Sequence, residues 1–123
     1  EQAVESKVGD CSLEESAALV DQADLVIGVD TGLTHMGWAF HVPVVALFGS
    51  TCPYRVVPGR EGDILYAELD CSPCRRRPTC GGAFDCMSAL TPDAVMNAAQ
   101  RYLSKESVAA PVLASSENRE EAL

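Results

Sequence analysis

Asp30, Thr31, Gly32 and His35 bring a carboxylate, a hydroxyl, a residue without a side chain and an imidazole together within six positions. A set of that kind suits an anionic ligand such as a phosphate. The carboxylate can accept from hydroxyls, the imidazole can donate, and backbone at a glycine can approach a ligand where a side chain would clash. A second cluster lies downstream, in Cys71-Ser72-Pro73-Cys74 followed by Cys80 and Cys86. Four thiols over sixteen residues, in a segment rich in Pro, Gly and Arg, suit a four-thiolate site for zinc or iron, although the spacing is not that of a standard finger. Disulfides, if the chain is exported, and free thiols are the alternatives. Arg75, Arg76 and Arg77 beside these thiols offset their charge, face an anionic partner or are simply solvated, and solvation is the plainer reading. Cys11 and Cys52 lack the spacing and read as ordinary core or loop residues.

The elements that must position the first cluster follow from the apolar pattern. Leu25 to Val29 is a short, β-branched run expected to form a strand buried on both faces, and Leu33 to Phe40 can be helical. The free N–H groups and positive dipole end of that helix would then sit at the carboxyl end of the strand, where open α/β sheets bind anions such as phosphate. Val42 to Phe48 reads as a second buried strand, with Pro43 at its edge and Gly49 closing it. Leu33, Met36 and Phe40 supply the apolar face of the helix between the two, giving a right-handed βαβ unit. Upstream, Ser12-Leu13-Glu14-Glu15 is a capping-box signature. It opens a helix whose stripe of Leu13, Ala17 and Val20 is expected to pack on the sheet and to end near Asp24. Ile64 to Leu69 is a weaker third strand, and Thr91-Pro92-Asp93 opens a last helix with Val95, Ala98, Ala99 and Tyr102 on one face.

Plainer readings stand beside the chemical ones. Asp30 and Thr31 can serve only to cap the following helix, and Ser50 and Thr51 only to shape a turn. Trp38 and Met36 read as core, and His41 at a helix end needs no function.

Length and charge bound the possibilities. The 123 residues make at most one modest domain with a small core, and the net charge is −9. Residues 1–30 hold eight acids against Lys7 alone, whereas residues 52–90 balance five acids with five arginines. That balance argues against a general nucleic-acid role, since backbone binding needs a broad basic face. No intact secretory signal follows Glu1, and no apolar run approaches the roughly 20 residues of a membrane span. The expected location is the cytoplasm, with attachment to a membrane surface left open, at the inner face of the inner membrane if the family resemblance given below holds. Residues 1–11 read as a leading segment, 12–103 as an α/β domain fragment containing the Cys-rich loop 71–86, and 104–123 as a flexible polar tail.

The stretch Val29-Asp30-Thr31-Gly32-Leu33-Thr34-His35-Met36-Gly37-Trp38-Ala39, then Pro43-Val44-Val45-Ala46-Leu47-Phe48-Gly49-Ser50-Thr51, then CSPC and Leu90-Thr91-Pro92, resembles glycosyltransferase family 9, the ADP-heptose:lipopolysaccharide heptosyltransferases. The resemblance runs from about Ser12 to Leu103. Ser50 departs from it where proline is commoner, and Gly37 where a larger or alanine-like residue is usual. It implies a GT-B architecture of two facing Rossmann-like domains, of which this chain is the last part of the C-terminal, donor-binding one. It also implies an ADP-sugar substrate, with the diphosphate at Thr31, Gly32 and the helix start, and the sugar near Asp30 and His35; Thr51 is a further donor-site candidate. The catalytic base is expected upstream in a missing N-terminal domain, so the isolated fragment holds no catalytic residue. A lipopolysaccharide-type acceptor is implied for the full protein. The competing readings are a non-catalytic nucleotide-binding remnant and a metal-stabilised structural module.

Overall fold

The computed structural model describes residues 4–51, 53, 59 and 61–103. The expected tail over 104–123 and Cys52 lie outside the described residues. Helix α1 (Leu13–Asp21) begins as its sequence dictates. Ser12 Oγ accepts from the Glu15 N–H at 3.1 Å while the Glu15 carboxylate accepts from the Ser12 N–H at 2.8 Å. The pair satisfies two of the donors that a helix start leaves orphaned.

Strands β1 (Val26–Val29), β2 (Val44–Phe48) and β3 (Gly62–Tyr66) form one parallel sheet in the order β1-β2-β3, with α2 (Gly32–Ala39) linking the first two. Val26 pairs with Val44, and Val44 in turn with Gly62. The third strand therefore starts before Ile64 and ends before Leu69, since its ladder runs only where β2 offers partners, from Val44 to Phe48. Gly62, at φ 144°, is required there, because a Cβ would lie 2.0 Å from the Val44 carbonyl oxygen. Only glycine takes that backbone without a clash. A short helix, α3 (Asp85–Ser88), follows the Cys-rich loop and has no counterpart in the expected element order. Helix α4 (Pro92–Leu103) opens with Thr91 Oγ1 accepting from the Ala94 N–H at 3.2 Å, the bond expected of an N-cap threonine.

β2 is the buried spine. Val44, Ala46 and Phe48 point to one face and join Trp38 of α2, with Val26, Ile64 and Tyr66 packed around them. Val45 points to the other face, is fully buried, and shares that side with Asp63, its register partner on β3. Helix α4 covers this side with Ala98 and Ala99, and binds Asp63 through the Tyr102 hydroxyl at 3.3 Å and the Arg101 guanidinium. Burial and the neighbouring Asp63 carboxylate raise the Tyr102 phenol above its ordinary pKa.

Three expectations about burial are corrected. β1 is covered on one face only: Ile27 and Val29, on the Val45 side, are 47% and 44% exposed, and α4 packs chiefly against β2 and β3. The buried face of α2 is Thr34, Gly37 and Trp38, while Leu33 and Phe40 are 49% and 39% exposed. The small residues win because α2 lies close on the strands, so close that a Cβ on Gly37 would sit 2.7 Å from Val44 Cγ2. Finally, α1 packs chiefly against α2, which already occupies the sheet beside β1, and none of its residues is fully buried.

The same closeness makes the two glycines flanking Asp30 and Thr31 unlike each other. A methyl on Gly28 would meet Thr34 Oγ1 at 2.2 Å, whereas one on Gly32 meets no atom within 4 Å. Gly28→Ala is therefore expected to cost about 1–3 kcal/mol of stability, the usual range for overpacking, and Gly32→Ala to leave the urea midpoint unchanged. Equal midpoints for both variants would refute this packing.

Candidate functional site

Parallel pairing places the carboxyl ends of β1 and β2 side by side, so the residues that follow each strand meet. Asp30 follows β1, and Thr51 comes shortly after β2. The Thr51 hydroxyl donates to the Asp30 carboxylate, and His35 Nε2 lies 3.1 Å from Asp30 Oδ1. Three of the expected site residues, from a strand end, a helix and a turn, are thus joined in one network. The hydrogen bond from Thr51, then that from His35, holds the Asp30 carboxyl below its ordinary pKa; partial burial opposes them, and the charges of His35 and Arg76 add to them. The Asp30 side chain is 27% exposed and that of His35 is 44% exposed, so both border solvent. The His35 ring also meets Trp38 edge-on, with centroids 5.3 Å apart. That contact, a favoured geometry for two rings, ties the imidazole to the core.

Thr31 is the N-cap of α2, in extended conformation, and its hydroxyl makes no capping bond. Its N–H donates to the Val29 carbonyl at 2.7 Å. The first-turn N–H groups, those of Gly32 and Leu33 among them, have no partner within the helix and lie at the positive end of its dipole. Space at Gly32 is open. A helix start of this kind, with no side-chain cap and beside a carboxylate and an imidazole, can take an anionic group on its backbone and hydroxyls on Asp30.

The four thiols of the second cluster, Cys71, Cys74, Cys80 and Cys86, share one cavity of about 300 Å³ with Ser50, Arg76 and Phe84. Among the described residues, however, no three His, Cys, Asp or Glu side chains gather as they would around a metal ion. Two of the thiols have identifiable surroundings of their own. Cys86 Sγ lies against Gly49, where a Cβ would be 2.9 Å away. Cys80 sits within its own turn, where backbone N–H groups of Phe84 and Gly82 lower its thiol pKa. Cys11, Cys71, Cys74, Cys80 and Cys86 are free thiols.

What sequence reasoning missed is the placement of the loop around the arginines. Ser72 Oγ donates to the Gly49 carbonyl at 2.5 Å, and the Arg75 N–H donates to the Ser50 carbonyl at 2.7 Å, docking the loop on the turn that carries Thr51. Main-chain acceptors made both contacts, so no residue type announced them. Thr34 is a second omission: fully buried, it donates to the Val29 carbonyl at 2.6 Å.

The family model for glycosyltransferase family 9 (heptosyltransferase) matches residues 6–83, a span that holds all three strands and the Asp30 network. Lipopolysaccharide heptosyltransferase 1 of Campylobacter coli is 43% identical over 44 residues, which cover 36% of this chain and 13% of that protein. The protein of the same name from Pseudomonas aeruginosa is 37% identical over 70 residues, covering 56% of this chain and 19% of its own length. The chain thus spans less than a fifth of the curated relatives it matches. No solved structure gives a significant match. Among the described residues, no helix is long and apolar enough to cross a membrane.

The depressed pKa of Asp30 has a stability consequence with a definite sign. A carboxyl whose native pKa lies below its unfolded value stabilises the fold above the ordinary carboxylate range near pH 4, and that contribution is lost as pH falls through the native value. Urea unfolding of the wild type and Asp30→Asn is expected to show a wild-type advantage at about pH 7 that shrinks by about pH 3. An advantage of the same size at both would contradict the ionised network.

Proposed function

The chain belongs to glycosyltransferase family 9, and from that premise we propose that it is the diphosphate-binding part of the donor domain of a GT-B enzyme. The donor is an ADP-heptose-like nucleotide sugar, and the acceptor of the full protein is of the lipopolysaccharide-core type. The observation that carries this reading is the uncapped start of α2 beside the Asp30–His35–Thr51 network, at the carboxyl ends of parallel strands. That is where a doubly wound sheet binds phosphates.

The residues divide the work by their chemistry. The Gly32 and Leu33 N–H groups donate to phosphate oxygens, and the Thr31 hydroxyl adds a donor on the same side. Asp30, acceptor-only when ionised, takes hydroxyls of the sugar, while Thr51 fixes its orientation. His35, when protonated, supplies a cationic donor beside the diphosphate. In the transfer, the sugar's bond to the diphosphate breaks as the acceptor oxygen attacks. Negative charge then grows on the departing phosphate, which pre-aligned donors stabilise. A carboxylate in the N-terminal domain takes the acceptor's proton.

Calorimetric titration of ADP into the chain tests this reading. The wild type is expected to bind, His35→Ala to lose binding, and Gly32→Ala to weaken it by about tenfold, or about 1.4 kcal/mol, with its fold intact. A wild type that takes up no ADP, or variants that bind as well as it does, would overturn the assignment.

A further inference from the structure

Among the described residues, the consecutive Arg75, Arg76 and Arg77 are the one concentration of positive charge that the site, as set out above, leaves unused. Their loop is held against the turn after β2 by the two bonds from Ser72 and Arg75 to the Gly49 and Ser50 carbonyls. Those carbonyls directly precede Thr51, whose hydroxyl holds Asp30. Arg75 and Arg76 both adopt left-handed backbone, with φ of 54° and 64°. Non-glycine residues take that conformation at a cost. The chain reverses there, and Arg76 comes to line the same cavity as Ser50. Its charge is also among those that favour the ionised form of Asp30.

Charge accounting points the same way. The lysines and arginines among the described residues are Lys7, Arg75, Arg76, Arg77 and Arg101. Lys7 pairs with Glu5, and Arg101 pairs with Asp63 under α4. A diphosphate is multiply charged, and here it would approach a chain of net charge −9 beside an aspartate. A helix start offers only about half a positive charge against it. A guanidinium adds a full charge that persists at every relevant pH, in a fork that matches two phosphate oxygens.

We propose that Arg76 is a diphosphate-binding residue, delivered by the Cys-rich loop to the start of α2 to neutralise the phosphates of a nucleoside diphosphate ligand. The inference rests on the donor-binding reading above. It gives the loop a role that needs no metal: the Ser72 and Arg75 anchors set the position of Arg76. Arg77 extends the run, but it does not line the cavity that Arg76 shares with Ser50.

The test is calorimetry on the full chain with ADP and, separately, with inorganic pyrophosphate, each at low and high salt. Arg76→Gly removes the charge and suits the left-handed backbone, so the fold is retained; Arg76→Lys keeps the charge without the fork; Arg77→Ala is the neighbouring control. Arg76→Gly is expected to weaken both ligands by about tenfold and to flatten the salt dependence. Arg76→Lys should recover part of the loss, and Arg77→Ala should stay within about twofold of wild type. If the wild type binds and Arg76→Gly binds equally well, this inference is overturned while the donor reading stands. Equal losses from Arg76→Gly and Arg77→Ala would show diffuse attraction and also overturn it. If the wild type binds neither ligand, the donor reading falls and takes this inference with it.

Discussion

The hydroxyl of Thr34 is fully buried, so it must find an acceptor, and the Val29 carbonyl at 2.6 Å provides it. That bond joins the last residue of β1 to the first turn of α2 and fixes how abruptly the strand becomes the helix. Gly28 makes room for it, since any side chain there would meet the same oxygen, and Gly37 lets the rest of α2 settle on Val44. The position of Asp30 and Thr31 follows. They occupy the only backbone left between a strand and a helix that are already fixed, so the carboxylate and the helix start cannot drift apart.

From this constraint the network spreads across the sheet. Register brings the turn after β2 beside Asp30, and Thr51 closes the gap with a hydrogen bond. The turn in turn receives the Cys-rich loop through the carbonyls of Gly49 and Ser50, and Cys86 fills the space that Gly49 leaves. Three segments far apart in sequence are therefore stacked against one sheet edge by backbone contacts more than by apolar burial. On the far side, α4 clasps β3 through Asp63, Tyr102 and Arg101, which steadies β2 from behind.

Much of this was legible in the residues, and the illegible parts share a cause. The capping box at Ser12, the parallel β1–α2–β2 unit and the Thr91 cap could be read because each depends on neighbours in sequence. Asp30, Thr31, Gly32 and His35 stood out for the same reason. The buried face of α2 is not legible from apolarity, since Leu33 and Phe40 are more apolar than Thr34 and Gly37, yet close packing selects for size. The apolar composition of β1 suggests burial on both faces because it does not reveal that α4 packs chiefly against β2 and β3. The thiols were seen as a group, but their separate packing against Gly49 and the 80–84 turn depends on contacts that no spacing encodes. The docking of the arginine loop was missed entirely, since its anchors are carbonyl oxygens that every residue carries.

The central claim is that the start of α2 is a ligand site. Proton–nitrogen correlation spectra of the isotope-labelled chain, recorded while ADP is added, test it most directly. The account predicts the largest amide shifts at Gly32 and Leu33, accompanied by the ring of His35. Shifts confined to α4 or spread evenly over the chain, or no shifts at all, would contradict it.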